Sequence, residues 1–360
     1  MISVSAAYGG RVTTKGMPIS ESGPPISPRG TVRRATIDDV ARAAGVSRQT
    51  VSNVVRGRGR LGSTTRDRVM AAIEELDYKP HAGAASLRSG RTYRIAYPIP
   101  ANEFLPDNVI MLEFLQFLVA AARARDHQVL VASSAETGMA AIDELVETKS
   151  VDGFVLASVT DDDPRIAFLA ARQIPFAFFG EVAPPLPQSW VNIDNRRAVR
   201  SMTARVLARG HRHLSYLGYE PQGPWDNERE AGYRDAVTAA GLPVRLTRTG
   251  LAAATVNATV TELLAGPDRP AAIVTGSDVL AAACYSAANR AGLRIGTDLA
   301  VTGFDGSVIS RMLTPALTTM AIPLRDLAAR LIDRVIAQAT GTVLSHGEVL
   351  DTILLEGESA

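Results

Sequence analysis

Arg48, Gln49 and Asn53 are the residues of this 360-residue chain whose types and spacing point most directly to chemistry. Arg, Gln and Asn side chains can make paired hydrogen bonds to base edges in a DNA major groove. To do so they must stand on a helix whose first turn is exposed. Residues 36–55, TIDDVARAAGVSRQTVSNVV, supply such a helix and a second one to hold it. Ile37, Val40, Ala41 and Ala44 recur at helical spacing and give the first helix an apolar face. Gly45 tolerates the tight turn, and Val46 plugs the corner. Ser47 is an N-cap for the second helix. Val51, Val54 and Val55 are expected to face inward, leaving Arg48, Gln49, Ser52 and Asn53 outward. That is the pattern of a helix-turn-helix with a recognition helix. On pattern alone, a plain surface helix pair with polar decoration is the competing reading.

A second set of polar residues stands where strands are expected to end. From Arg94 onward short apolar strands alternate with amphipathic helices. The candidate strands are 94–99, 128–133, 153–158 and 175–180, then 190–194, 213–218, 244–248, 271–276 and 299–304. Such alternation predicts parallel sheets covered by helices on both faces. So many strands call for two lobes rather than one doubly wound sheet. Ligands of these folds sit beyond the carboxyl ends of strands. That places Ser133, Ser134, Ser158, Gly180, Asp194, Asn195, Ser277, Asp278 and Asp305 near a cleft.

Composition agrees with two functions on one chain. The net charge of +1 hides an asymmetry. Residues 1–90 carry 14 Lys and Arg against 7 Asp and Glu, and the remainder 24 against 30. A basic amino-terminal module on an acidic body suits a nucleic-acid binder with a separate sensing or assembly domain. The lone Cys284 can form no intrachain disulfide, which fits a reducing, cytoplasmic setting. No apolar run is long enough to span a membrane. Residues 1–34, rich in Gly, Pro and Ser, read as a disordered extension without a signal-peptide core.

Other patterns carry less. Gly57, Gly59 and Gly62 spell G-x-G-x-x-G, but after a helix, whereas a dinucleotide site needs a preceding strand. His211 and His213 have no third metal ligand beside them. Cys284 has no nearby His, and no nucleophile elbow or phosphate loop is present. The expectation is no enzyme, no metal and no cofactor.

Taken in order, the motifs resemble one family. Residues 36–55, Thr65-Arg66 and the AAIEELDYKP run resemble the DNA-binding headpiece of the lactose-repressor (LacI/GalR) family. The body continues the likeness in Val151-Asp152-Gly153, Val191-Asn192-Ile193-Asp194-Asn195, Gly210-His211, Glu228-Arg229 before Gly232-Tyr233, Gly276-Ser277-Asp278, Gly303-Phe304-Asp305 and Leu317-Thr318-Thr319. The resemblance covers about residues 35–356.

It implies an all-α headpiece plus a two-lobed, periplasmic-binding-protein-like α/β sensor with two doubly wound parallel sheets. Arg48, Gln49 and Asn53 fall where the family reads bases. Thr36, Ser47, Thr50 and Ser52 fall at phosphate or capping positions. Residues 80–88 resemble the family's hinge helix. Leu87 matches its minor-groove leucine, and an apolar wedge there would kink DNA. His81 stands where the family usually has Asn, and Gly83 lowers helix propensity.

In the cleft, Arg229 matches the arginine that grips ligand hydroxyls, with Ser133, Ser158, Asp194, Trp225, Asp278 and Asp305 around it. Trp190 and Trp225 could stack on a sugar ring, although packing is a tryptophan's commoner role. Glu181 stands where family members often carry Arg.

The resulting division is an extension at 1–34, a helix-turn-helix domain at 35–79 and a hinge and linker at 80–91. A ligand-binding and dimerisation domain follows at 92–356. Its lobe 1 spans about 92–189 and 321–340, and its lobe 2 about 190–320 and 341–356. The chain should cross between lobes near 188–191, 319–323 and 339–343.

The expected function is a cytoplasmic transcription regulator, a repressor. It should bind a near-palindromic double-stranded operator as a homodimer, under allosteric control by a small effector such as a sugar, without a membrane partner. The competing readings are a carbohydrate-binding or carbohydrate-active protein with a fused DNA-binding module, and a regulator controlled by a protein partner.

Overall fold

The computed structural model describes residues 35–55, 62–78, 91–100, 109–134, 138–183, 189–220, 223–342, 344 and 346–360. The expected extension at 1–34 and the hinge at 80–88, with His81 and Leu87, lie outside them. The chain forms two compact units, Met1–His81 and Ala82–Ala360.

The first unit contains α1 (Ile37–Ala44), α2 (Arg48–Val55) and α3 (Ser63–Glu75). Thr36 and Asp39 close a capping box on α1. The Thr36 side chain accepts from the Asp39 N–H at 3.3 Å, and Asp39 accepts from the Thr36 N–H at 2.9 Å. Together they satisfy two N–H groups that a helix start leaves without partners. Gly45 ends α1 in the left-handed region, φ 59°. A side chain there would be strained, and its Cβ would also meet Arg68 Nη2 at 2.9 Å. Arg68 donates to the carbonyls of Ala44 and Gly45, so α3 ties down the end of α1. Val40, Ala41, Ala44, Val51, Val54, Val69, Ala72 and Tyr78 form the small core.

Two expectations for α2 are corrected. Ser52 is only 6% exposed, and Val55 is 38% exposed. α2 packs on both α1 and α3, and the second contact widens its buried stripe to include Ser52. Val55, on the last position of a two-turn helix, is left in the open.

The second unit holds two six-stranded sheets. The first is built from β1 (Arg94–Pro100), β2 (Gln128–Ser134), β3 (Gly153–Leu156), β4 (Phe176–Phe179), β5 (Trp190–Ile193) and β11 (Glu348–Leu350), in the order β2-β1-β3-β4-β5-β11. All its pairings are parallel. The second holds β6 (Leu214–Tyr219), β7 (Leu246–Thr249), β8 (Ala272–Thr275), β9 (Ala300–Asp305), β10 (Thr318–Ala321) and β12 (Ile353–Leu355), in the order β7-β6-β8-β9-β10-β12. Only its β10–β12 edge is antiparallel. The two sheets therefore repeat one doubly wound order, each reversing direction beside its first strand.

Helices cover both faces. Lobe 1 has α4 (Val109–Arg123), α5 (Met139–Glu147), α6 (Pro164–Ala171) and α12 (Leu324–Ala339). Lobe 2 has α7 (Asn195–Ala208), α8 (Pro224–Ala239), α9 (Ala253–Ala265), α10 (Asp278–Arg290) and α11 (Val308–Met312). Strands buried on both faces read as continuous apolar runs, as β3 and β8 do. One buried cluster runs from Ile95, Phe114 and Leu118 through Leu327 and Leu331 of α12 to Val199, Met202, Tyr233 and Phe304. The outer faces have their own cores, around Phe154, Phe178 and Leu169 in lobe 1 and around Ile273, Val301 and Leu280 in lobe 2.

The lobe boundaries differ from those expected at two places. β5 belongs to the first sheet, pairing with β4, so the first crossing follows it at Asp194. β11 also belongs to the first sheet, so the third crossing lies at Asp351–Thr352, well beyond 339–343. Both strands are short additions at the far end of the sheet, β11 at its edge, and three or four residues carry no mark of the sheet they will join. The middle crossing, between β10 and α12, falls at Ile322–Pro323, within the expected 319–323. Arg197 links the outer two crossings by pairing with both Asp194, at 3.4 Å, and Asp351.

Candidate functional site

On α2, Arg48 and Gln49 are exposed, and Thr50 and Asn53 are half-buried. Gln49 Nε2 donates to Asn53 Oδ1 at 3.2 Å, so two of the candidate base readers occupy each other. Arg48 Nε lies 3.7 Å from Asp38, with both groups more than half exposed. Such a pair is worth little and leaves Arg48 available. Thr36 and Ser47 act as helix caps. The Ser47 hydroxyl accepts from the Thr50 N–H at 3.1 Å. Ser52 is buried among the helices, not displayed beside Arg48.

In the second unit, the switch point of the lobe 2 sheet lies between β6 and β8. Open α/β sheets bind ligands outside the strand ends at such a point. Arg229, on α8 and 5% exposed, reaches it. Its Nη1 donates to the Gly276 carbonyl at 2.7 Å and lies 3.4 Å from Asp305 Oδ1. Its Nε donates to Asn195 Oδ1 at 2.9 Å, and Asn195 in turn donates to Glu228 at 3.3 Å. The guanidinium carbon stands 3.7 Å from the Phe304 ring centroid and 4.8 Å from that of Trp225. Among the described residues Nη2 has no acceptor, which leaves one donor edge for a ligand. Tyr219 and Ser277, at the ends of β6 and β8, share a hydroxyl contact of 3.2 Å.

Asp305 occupies a strained backbone position, φ 107°. Strain of this kind persists where surrounding structure enforces it, and it clusters at functional sites. Burial pushes its carboxyl up to about 8, opposed by Arg229 and reinforced by the nearby Asp278. Asp278 is also raised by burial, to about 6. Its oxygens are already engaged by the Thr319 hydroxyl at 2.6 Å, the Ser307 N–H at 2.7 Å and the Ser307 hydroxyl at 2.9 Å. It braces the loop after β9 and has no exposed surface for a ligand.

The remaining expected residues are dispersed. Asp194 caps α7 by accepting from the Arg197 N–H at 2.8 Å. Ser133 and Ser158 are exposed at the ends of β2 and β3, Ser158 with φ 49°. Trp225 is half-buried beside Gly223, where a Cβ would lie 3.3 Å from the lobe 1 carbonyl of Val159. Trp190 packs on lobe 1, its ring against Gly347. Sequence reasoning gave Phe304, Glu228, Asn195 and Glu113 no contact with the ligand. Phe304 beside Asp305, Glu228 beside Arg229 and Asn195 beside Asp194 were the signals available.

The lobes also meet directly. The Val308 N–H at the start of α11 donates to Glu113 Oε1 of α4 at 2.8 Å. Among the described residues no group of His, Cys, Asp and Glu has the arrangement of a metal site. No described helix is long and apolar enough to cross a membrane.

Comparison with known proteins places these features. Residues 36–81 match the model for bacterial regulatory proteins of the lacI family, and residues 203–360 match a periplasmic binding protein-like domain. The chain is 31% identical to the HTH-type transcriptional regulator DegA of Bacillus subtilis, over 82% of this chain and 89% of that protein. It is 30% identical to the ribose operon repressor of Escherichia coli, over 91% and 100%. The solved complex of the transcriptional regulator CelR with cellobiose is similar at TM-score 0.67 and 28% identity, covering 91% and 100%. The lac repressor dimer bound to operator and an anti-inducer shares the fold at TM-score 0.78 and 24% identity, covering 91% and 99%. A capped helix-turn-helix joined to a two-lobed body, aligned with such regulators over most of its length, makes this chain a member of the lacI family, a DNA-binding transcriptional regulator and not an enzyme.

Proposed function

We propose that the protein is a cytoplasmic repressor that binds a near-palindromic operator as a homodimer, and that a small polyhydroxylated effector in the interlobe cleft changes its operator affinity. The observation that carries this reading is Arg229. A guanidinium sandwiched between two rings at a sheet switch point, with one donor edge unfilled, suits a hydroxylated ligand. A regulator similar in sequence and fold has been solved with cellobiose. Coupling follows from linkage: a ligand that prefers one lobe arrangement shifts operator affinity by that preference. Arg48, Gln49 and Asn53 are the proposed base readers. Thr36, Ser47 and Thr50 hold the helix that carries them. His81 and Leu87 remain candidates for minor-groove contact.

A second copy of the chain is the proposed occupant of an apolar face. α4 buries Met111, Phe114, Leu118 and Ala122 but leaves Leu112 and Val119 exposed on its other side. Glu113 joins α4 to α11, where Val308 and Met312 are exposed, Met312 at 76%. The face thus draws on both lobes, and closing them would alter it. A two-fold assembly is what paired half-sites require.

The test is titration of a selected operator duplex with and without a sugar panel, on the protein and on Arg229→Ala. A sugar that changes operator affinity only when Arg229 is present supports the reading. A response that survives in Arg229→Ala places the effector elsewhere, and equal affinity for operator and random DNA removes the regulator mechanism proposed.

A further inference from the structure

We propose that the turn from Asp305 to Val308 is the relay by which the effector cleft acts on α4, and that Asp278 is the positioning residue that holds this turn. This rests on the cleft being the effector site.

Four consecutive residues are tied to three parts of the body. The Asp305 carboxyl faces Arg229 at 3.4 Å, in the corner of the cleft. The Asp305 carbonyl accepts from the Ile322 N–H at 3.0 Å, at the middle crossing between the lobes. Three residues on, the Val308 N–H donates to Glu113 Oε1 of α4 at 2.8 Å, in the other lobe. α4 in turn carries the exposed Leu112 and Val119 of the apolar face. A change at Arg229 reaches the hinge and α4 along this path if the turn between them is stiff.

Its construction makes it stiff. Asp305 and Gly306 have φ of 107° and 68°, two successive residues in the region that ordinary side chains avoid. A Cβ on Gly306 would collide with Ala321, so the turn lies directly on β10. Asp278, wholly buried, holds the next residue. One of its oxygens accepts from the Ser307 N–H at 2.7 Å and the Ser307 hydroxyl at 2.9 Å, and the other from the Thr319 hydroxyl of β10 at 2.6 Å. Gly303 leaves room for this carboxylate, since a Cβ there would collide with it. The Ser307 carbonyl then accepts from the Ser310 N–H at 3.1 Å and its hydroxyl at 2.8 Å, which fixes the start of α11. Hydrogen bonds to an ionised acceptor are roughly twice as strong as neutral ones, so Asp278 clamps the turn to the sheet. Coupling between distant sites is carried by packed, hydrogen-bonded elements that both sites bias.

The experiment uses the full chain at near-neutral pH. Hydrogen exchange follows the Val308 amide, and titration gives the affinity for an operator duplex selected from a random library. Ser307→Ala removes the hydroxyl half of the Asp278 contact, and Asp278→Asn removes the charge. Each should speed exchange of the Val308 amide by roughly 10-fold, the lower end of what one hydrogen bond to a charged group is worth. Glu113→Ala should do so directly, and Glu113→Gln, which keeps an acceptor oxygen, should restore most of the protection. Operator affinity should change in the same direction in Ser307→Ala and Glu113→Ala. The double variant should change it no more than the larger single one, because both cut one path. Cellobiose and ribose serve as probe sugars. A shift in operator affinity produced by either should be lost in both variants, while calorimetry still shows the sugar bound. Should Asp278→Asn fail to fold, Ser307→Ala decides alone. Unchanged exchange at Val308 in Ser307→Ala overturns the proposal, as do additive effects of Ser307→Ala and Glu113→Ala on operator affinity. If a sugar acts through Arg229 and its effect survives Ser307→Ala and Glu113→Ala, the effector cleft stands and the relay is refuted. If the exchange and double-variant results hold and neither sugar shifts operator affinity, the link from the turn to α4 stands and the effector reading loses its support.

Discussion

Arg229 and Asp305 face each other at 3.4 Å, each less than a tenth exposed, from α8 and the end of β9. Above about pH 8, where the Asp305 carboxyl is ionised, removing one member of this buried pair leaves the other uncompensated, at a cost of about 3–5 kcal/mol. Arg229→Ala should therefore lower the stability of the second unit by about that much, as well as abolish the ligand response. Arg229→Met combined with Asp305→Leu should recover much of the stability and none of the response. Urea unfolding followed by fluorescence, with ligand titration in parallel, separates the two effects.

Asp305 predicts a pH dependence. Its folded carboxyl is raised from 3.8 to about 8 by burial, so across that window the folded state holds a proton that the unfolded state has released. Stability must then fall as pH rises from about 4 to about 8. Asp278, raised in the same direction by burial, adds to the lower part of this window. In Asp305→Asn the slope above pH 6 should largely vanish. Unfolding midpoints measured across the range check this, and an unchanged slope in the variant would assign the titration to another group.

Base reading should be confined to the outer face of α2. Arg48→Ala, Gln49→Ala and Asn53→Ala should each cost on the order of 1–3 kcal/mol on the operator and far less on random DNA. Ser52→Ala should instead change the stability of the first unit, because Ser52 is buried. Binding isotherms on both DNAs, with melting of each variant, decide between these roles.

The apolar face on α4 and α11 should set the oligomeric state. Leu112→Glu with Met312→Glu places charges at two exposed sites, so the monomer fold should be kept. Sedimentation at micromolar concentration should give twice the chain mass for the unaltered protein and the single mass for the variant. Operator affinity should drop with it, since one headpiece reads half a site.

Glu113 should bias the lobe angle. Its carboxylate holds the Val308 N–H at 2.8 Å across the two lobes. A hydrogen bond to a charged group is worth about 1.5–3 kcal/mol, less at a half-exposed site. Glu113→Ala should change effector affinity and the ligand-induced shift in operator binding, with little change in unfolding free energy. Small-angle scattering with and without ligand would show whether the lobe arrangement moves.

The sequence by itself determined the elements and their order. Helical spacing of Ile37, Val40, Ala41 and Ala44, the Gly45 turn and the Ser47 cap were legible because local geometry sets them. So were most strands from Arg94 to Phe304, because strand period and connection rules act over short range. Residues whose role depends on a distant partner were not legible. Ser52 has a polar side chain on a helix that one neighbour would leave exposed, and a third helix buries it. β5 and β11 join the first sheet through backbone hydrogen bonds that give no sign in segments of three or four residues. Asp278 looked like a ligand group at a strand end until Ser307 and Thr319, 29 and 41 residues away, took up its oxygens. Asn195, between Arg229 and Glu228, acquires its place only when α7 and α8 lie side by side. Pattern reports which face of an element is apolar; what covers that face, and which polar group is left unsatisfied there, is decided by long-range contact.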